Sequence, residues 1–246
     1  MPIAKRQMAL TADLVAAAAR VVEDLGPSPG AVYMTDEDYE IAIRDALAKG
    51  PKGDVWLFAY GSLLWKPACE TAESWRATVY GWHRAFCIRV ARFRGTPERN
   101  GLMMGLDRGG QCHGMIFRLP AAQIHESLDK LFRRELVVKT SPNMPRWLPA
   151  RTVNGDVRVV AFVVNQQSPH YSGQLELEAV ADVLSTAAGH WGSCAEYLQQ
   201  TVAHLEELGI RDRNLWRLQA MVAERIIRER ERLSGSDVGT GCTSQF

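Results

Sequence analysis

Glu135 sits where its helix should be apolar. In "AAQIHESLDKLFRRELV", with Ile124 at zero and about 100° per residue, Leu128, Leu131 and Phe132 fall at about 40°, −20° and 80°. Glu135 falls at about 20°, inside that stripe, whereas Glu126, Lys130 and Arg133 fall at about 200°, 240° and 180° on the solvated face. An inward carboxylate must be paired, hydrogen-bonded or kept partly neutral, because an unpaired buried charge is costly. Two readings are open. Glu135 pairs with an internal arginine or emerges where the helix ends near Arg134, or burial raises its pKa into the range useful for general acid–base chemistry.

A second candidate lies in "DVWLFAYGSLLWKP". Val55, Trp56, Leu57, Phe58 and Tyr60 read as a strand buried on both faces, and Gly61 breaks it. A glycine there lets the backbone approach another molecule, and consecutive inward-turned amides suit an anion. The plainer reading is a tight turn closing a core strand.

Positioning these residues requires the following elements. Residues 1–50 form an N-terminal helical extension: one helix from Thr11 or Asp13 to Gly26-Pro27, and a second opening at Thr35 with acids in its first turn. Strand signals follow at 55–60, 77–90, 102–106, 112–118 and 157–165, with hairpin chemistry at Asp107-Arg108-Gly109-Gly110 and Asn154-Gly155. One helix interrupts them after Pro120. Beyond "NQQSPHYSGQ" three helical segments reach about residue 233, with breaks near 189–193 and 209–212. Residues 234–246, rich in Gly, Ser and Thr, read as a disordered tail. This order indicates an α+β fold around a largely antiparallel sheet rolled into a small barrel.

Lys and Arg total 29 against 28 Asp and Glu, a net charge of +1, so there is no electrostatic case for nucleic acid or an anionic membrane. The five cysteines are spread without the spacing of a zinc site, and the six histidines form no metal cluster. No apolar stretch approaches the roughly 20 residues of a membrane span, and no signal peptide is evident, so the expected location is the reducing cytosol. Cys112-His113 is no nucleophile–base pair, because neighbours on a strand point to opposite faces. Arg89, Arg92 and Arg94 form either a basic wall for a substrate carboxylate or a solvated edge that resists aggregation.

The combination of "FAYGSLLWKP", "GWHRAFCIRVARFRGTPERNG", "FRLP" and the Arg133-Arg134-Glu135 triplet resembles the ChaC-type γ-glutamylcyclotransferases, in particular their bacterial branch. Two later pieces agree: "SPHYSG" with Tyr171, and "AAGHWGSCAEYL" with Gly192 and Tyr197. The resemblance implies a small mixed β-barrel with flanking helices over residues 51–233. It also implies cleavage of glutathione to 5-oxoproline and Cys-Gly without metal or cofactor. The family's substrate loop matches Leu57, Phe58, Ala59, Tyr60, Gly61, Ser62 and Leu63, whose backbone amides would hold the γ-glutamyl group, and its catalytic glutamate matches Glu135. Tyr171 either hydrogen-bonds at the pocket mouth or anchors a loop. The chain departs from the family pattern at Val137-Val138-Lys139-Thr140, at Cys194 and at Ala59. The competing readings are a non-catalytic ligand-binding regulator and a cyclotransferase for other γ-glutamyl peptides or amines.

Overall fold

The apolar run before Gly61 becomes β1 (Trp56–Ala59), buried along its whole length. Its two faces serve different cores. Trp56 and Phe58 join the main cluster, while Leu57 and Ala59 join a second cluster outside the barrel. The computed structural model describes residues 6–27 and 29–237. Around β1, the strands β2 (Glu73–Val90), β3 (Gly101–Arg118), β4 (Asn143–Thr152) and β5 (Gly155–Val164) close a barrel in the order β1-β3-β2-β4-β5. The β1–β5 pair is parallel, with Trp56 opposite Val159 and Leu57 opposite Val160, and every other pair is antiparallel. This is the expected mixed, largely antiparallel barrel.

Three helices cover one side of it: α4 (Leu177–Thr186), α5 (Cys194–Glu207) and α6 (Arg213–Asp237). The short strands β6 (Ala188–Gly189) and β7 (Gly192–Ser193) lie between the first two. On another side α3 (Ile124–Glu135) presents Leu128, Leu131 and Phe132 to the second cluster. Against it packs α2 (Asp36–Lys49), whose buried Tyr39, Ile43 and Ala46 recur at helical spacing. Thr35 and Asp38 close a reciprocal capping box at its start.

Four expectations change. The hairpin expected at Asp107-Arg108-Gly109-Gly110 is absent, and β3 runs straight through. Gly109 and Gly110 adopt φ of 108° and 64°, and the register with β2 shifts between Tyr80 and Trp82, so the glycines form a bulge in a long ladder. The strand β4 escaped the strand signals because Pro145 and Pro149 interrupt it; its pairing with β2 involves only Thr78–Arg151 and Val79–Ala150, which leaves room for prolines. The first helix, α1 (Ala12–Ala18), is capped by Thr11 as expected but ends at Ala18, well short of Gly26. Leu14, Val15 and Ala18 pack on the main cluster, whereas Val21 and Leu25 are exposed, so nothing holds a longer helix. Finally, α6 continues to Asp237, into the segment read as a tail, and residues 238–246 lie outside the described residues. No described helix is long and apolar enough to cross a membrane.

Candidate active site

A cavity of about 420 Å³ opens where β1 ends. Tyr60, Gly61, Ser62 and Leu63 line one side, and Arg134 and Glu135, from the last turn of α3, line another. After Ala59 the chain bends through a single 3₁₀ turn, Ser62–Leu64, whose start is Gly61. The φ of Gly61 is −135°, outside the left-handed region. Space at this position is tight: a β-carbon would meet Tyr197 Oη at 3.1 Å. Arg84 Nε donates to the Tyr60 carbonyl at 2.6 Å and Tyr60 Oη donates to the Phe162 carbonyl at 2.9 Å, which holds the turn from behind.

Glu135 occupies the inward position the helical wheel assigns it, its side chain 16% exposed. Burial pushes its carboxyl above the ordinary glutamate range, and the Arg134 cation, with Nε 3.6 Å from Glu135 Oε1, pulls in the opposite direction. Asn143 Nδ2 donates to Glu135 Oε2 at 3.3 Å. Arg134 also donates to Ser62 Oγ at 2.9 Å and to the Lys66 carbonyl, tying the helix end to the turn across the cavity. Burial and the neighbouring Glu135 carboxylate raise the Tyr197 hydroxyl to about 12, so it remains a proton donor at neutral pH. The charged residues lining the cavity are Lys66, Arg94 and Arg134 against Glu135 alone, a positive balance suited to an anionic ligand.

The far wall contains Phe93, Arg94 and Trp191. Phe93 is the one non-glycine among the described residues with positive φ, 70°, and its ring lies 4.3 Å from that of Trp191. Arg94 is buried, donates to the Ser193 carbonyl at 2.6 Å and pairs with Glu196 at 2.8 Å.

Of the residues singled out in the sequence, Glu135, Tyr60, Gly61, Ser62 and Leu63 meet at this cavity. Leu57, Phe58 and Ala59 do not line it: they belong to the ladder of β1, paired to Phe117, Ile116 and Met115 of β3, with side chains in the two cores. Tyr171 does not line it either. Its hydroxyl donates to Asp107 Oδ2 at 2.8 Å, so the loop-anchoring alternative describes its contacts. The three arginines part company, since Arg94 enters the cavity wall while Arg92 pairs with Asp24, and Arg89 does not line the cavity. Cys194 is fully buried behind the wall, its thiol 3.1 Å from the Arg94 carbonyl, and burial raises it to about 11, which keeps it protonated. Asn143, Phe93, Trp191 and Tyr197 were not among the site candidates; the fold brings them to the cavity from β4, the turn after β2, the β6–β7 turn and α5. Among the described residues no three His, Cys, Asp or Glu side chains are placed to hold a metal ion.

The arrangement offers one largely buried carboxylate of raised pKa facing a tight turn. The sequence model of the ChaC-like protein family matches residues 55–225, which include both. The chain is 36% identical over 165 residues to the glutathione-specific γ-glutamylcyclotransferase of Escherichia coli, covering 67% of this chain and 71% of that protein. It is 29% identical to the enzyme of the same name from Schizosaccharomyces pombe, covering 73% of this chain and 98% of that one. The crystal structure of a yeast γ-glutamylcyclotransferase specific to glutathione superposes with a TM-score of 0.63 at 17% identity, over 70% of this chain and 97% of that one, a likeness of fold. On the match of its barrel and helices to the family model, this chain belongs to the ChaC-like protein family.

Proposed function

We propose that this chain cleaves glutathione by internal cyclisation. The α-amine of the γ-glutamyl residue attacks its own γ-carbonyl; a carbon–nitrogen bond forms to close the five-membered lactam, and the amide bond to cysteine breaks. The products are 5-oxoproline and Cys-Gly. One proton leaves the attacking amine and one reaches the departing nitrogen, so a single carboxylate suffices if it takes the first and returns it as the second. Glu135 is that carboxylate. The single observation that carries this reading is its position: inward-facing, with raised pKa, in the same cavity as the Tyr60–Gly61–Ser62–Leu63 turn.

The other groups follow from the geometry. The turn binds the γ-glutamyl end, and Arg134 fixes the turn to Glu135 through Ser62. Bringing amine and carbonyl together is an orientation effect that supplies roughly 7–11 kcal/mol when the geometry is right. The volume of about 420 Å³ is in the range of small-molecule sites. Glutathione carries two carboxylates and one amine, and the positive balance of the lining suits it. The relatives from Escherichia coli and Schizosaccharomyces pombe, both glutathione-specific γ-glutamylcyclotransferases, support this reading.

The test is incubation of purified protein with glutathione, γ-glutamyl amino acids or γ-glutamyl amines, with mass-spectrometric detection of products. Equal amounts of 5-oxoproline and Cys-Gly from glutathione, faster than from the other substrates, are expected. No 5-oxoproline from any of them would leave the fold with a binding role and end the catalytic reading.

A further inference from the structure

The segment before the barrel is outside the span matched by the family, residues 55–225, yet it grips both lips of the cavity. One lip is the turn of Arg92, Phe93 and Arg94 with its neighbours His190 and Trp191. Asp24 holds it by a two-pronged contact, accepting from Arg92 Nε at 2.9 Å and from Arg92 Nη2 at 2.7 Å, with His190 Nδ1 3.6 Å away. Arg92 also donates to Tyr33 Oη at 3.3 Å and stacks over Phe93. The other lip is the segment that follows Glu135. Met34 N donates to the Val137 carbonyl and Lys139 N to the Val32 carbonyl, a short antiparallel bridge centred on Tyr33 and Val138. The buried Tyr39 donates from Oη to the Leu136 carbonyl at 3.1 Å. Lys139 pairs with Asp38, and Arg133 with Asp36. Of the residues so held, Phe93 and Val137 line the cavity.

Two observations indicate that this is more than surface decoration. Phe93 has a φ of 70°, a conformation that persists in a bulky residue only when its surroundings impose it, and Asp24 fixes the residue immediately before it. The bridge at Val137 and Val138 also falls on the stretch directly after the catalytic candidate, so its placement bears on where the end of α3 points Glu135. An exposed ion pair is ordinarily worth little, but a bidentate arginine–carboxylate fork is the geometry in which it counts.

We propose that the N-terminal extension is a positioning brace for the active site, with Asp24 as the residue that fixes the Phe93–Trp191 lip and so sets the affinity for the substrate. The inference rests on the glutathione reading above. Asp24 touches no reacting atom; it acts through Arg92.

Asp24→Ala, Asp24→Glu and Asp156→Ala are compared with wild type by steady-state 5-oxoproline kinetics. Asp156→Ala breaks a more exposed pair, with Arg151, at the β4–β5 turn and serves as the control for loss of a surface ion pair remote from the cavity. Asp24→Ala should raise KM about three- to tenfold with kcat within about twofold, and Asp24→Glu should recover part of the loss. Asp156→Ala should leave both constants unchanged. Hydrogen exchange gives an arm independent of turnover: the Trp191 amide, which donates to the Phe93 carbonyl at 2.8 Å, should lose protection in Asp24→Ala. Wild-type KM in Asp24→Ala, or an equal KM rise in Asp156→Ala, overturns the brace. If wild type yields no 5-oxoproline while Trp191 protection still falls in Asp24→Ala, the glutathione reading fails and the brace stands; unchanged protection as well overturns the brace.

Discussion

A β-carbon on residue 61 would sit 3.1 Å from Tyr197 Oη and 3.7 Å from Met104 Sδ. Met104 is then in ordinary contact, and the tight neighbour is Tyr197, whose ring is held edge-on to Trp65 and Phe86, each with centroids 6.0 Å away, and under the Arg94 guanidinium at 5.4 Å. Alanine at this position needs a shift of a few tenths of an ångström. Valine adds two more methyl groups, and overpacking of that kind costs about 1–3 kcal/mol. At about 2–4 °C per kcal/mol for a chain of this size, Gly61→Val should lower Tm by roughly 2–12 °C. The same methyl groups crowd the turn that receives the γ-glutamyl end, and one misfitting methyl or methylene is worth about 10–200-fold in kcat/KM. Thermal melts and 5-oxoproline kinetics on Gly61→Ala and Gly61→Val, restricted to preparations with wild-type far-UV spectra, test both figures. A valine variant with wild-type Tm and kcat/KM would refute the reasoning and make the turn a structural one.

Three further outcomes are expected. Turnover should survive complete chelation by EDTA, since lactam closure needs only proton transfer; loss of activity restored by zinc or magnesium would contradict it. A base acts when ionised, so kcat/KM should rise with pH through the raised pKa of Glu135, and Arg134→Met, which removes the charge that lowers that pKa, should move this limb to higher pH. The stability linkage has a definite sign: a carboxyl whose folded-state pKa is above its unfolded one opposes folding increasingly as pH rises between the two. Glu135→Gln should therefore melt higher than wild type at about pH 8 and lose that advantage at about pH 4, as read by melts across pH.

How much of this was legible in the sequence depended on whether the signal was local. The stripe of Leu128, Leu131 and Phe132 follows from helical periodicity, and Glu135 stood out because it broke that stripe. The strand β1 and its stop at Gly61 were equally plain. By contrast Asp107-Arg108-Gly109-Gly110 has hairpin chemistry, and only the continuous partner strand β2 turns it into a bulge. In Leu57, Phe58 and Ala59 the family's loop motif extends back into a strand whose ladder and core packing occupy it. For Tyr171 the sequence left a pocket-mouth role and a loop anchor equally open, and only the contact with Asp107, 64 residues away, distinguishes them. Asp24 lies in "VVEDLGP" with nothing nearby to mark it, because its partners Arg92 and His190 are brought to it by the fold.

The central claim is that Glu135 carries the proton from the attacking amine to the departing nitrogen. The most direct measurement is kcat for 5-oxoproline formation by Glu135→Gln beside Glu126→Gln, with glutathione affinity determined by calorimetry on both. Glu126 lies on the same helix but faces solvent, paired to Lys130 at 2.6 Å. Glu135→Gln keeps the shape and removes the base, so kcat should fall by about 10²–10⁴-fold with affinity nearly unchanged, while Glu126→Gln retains wild-type turnover. Full activity in Glu135→Gln would contradict the account.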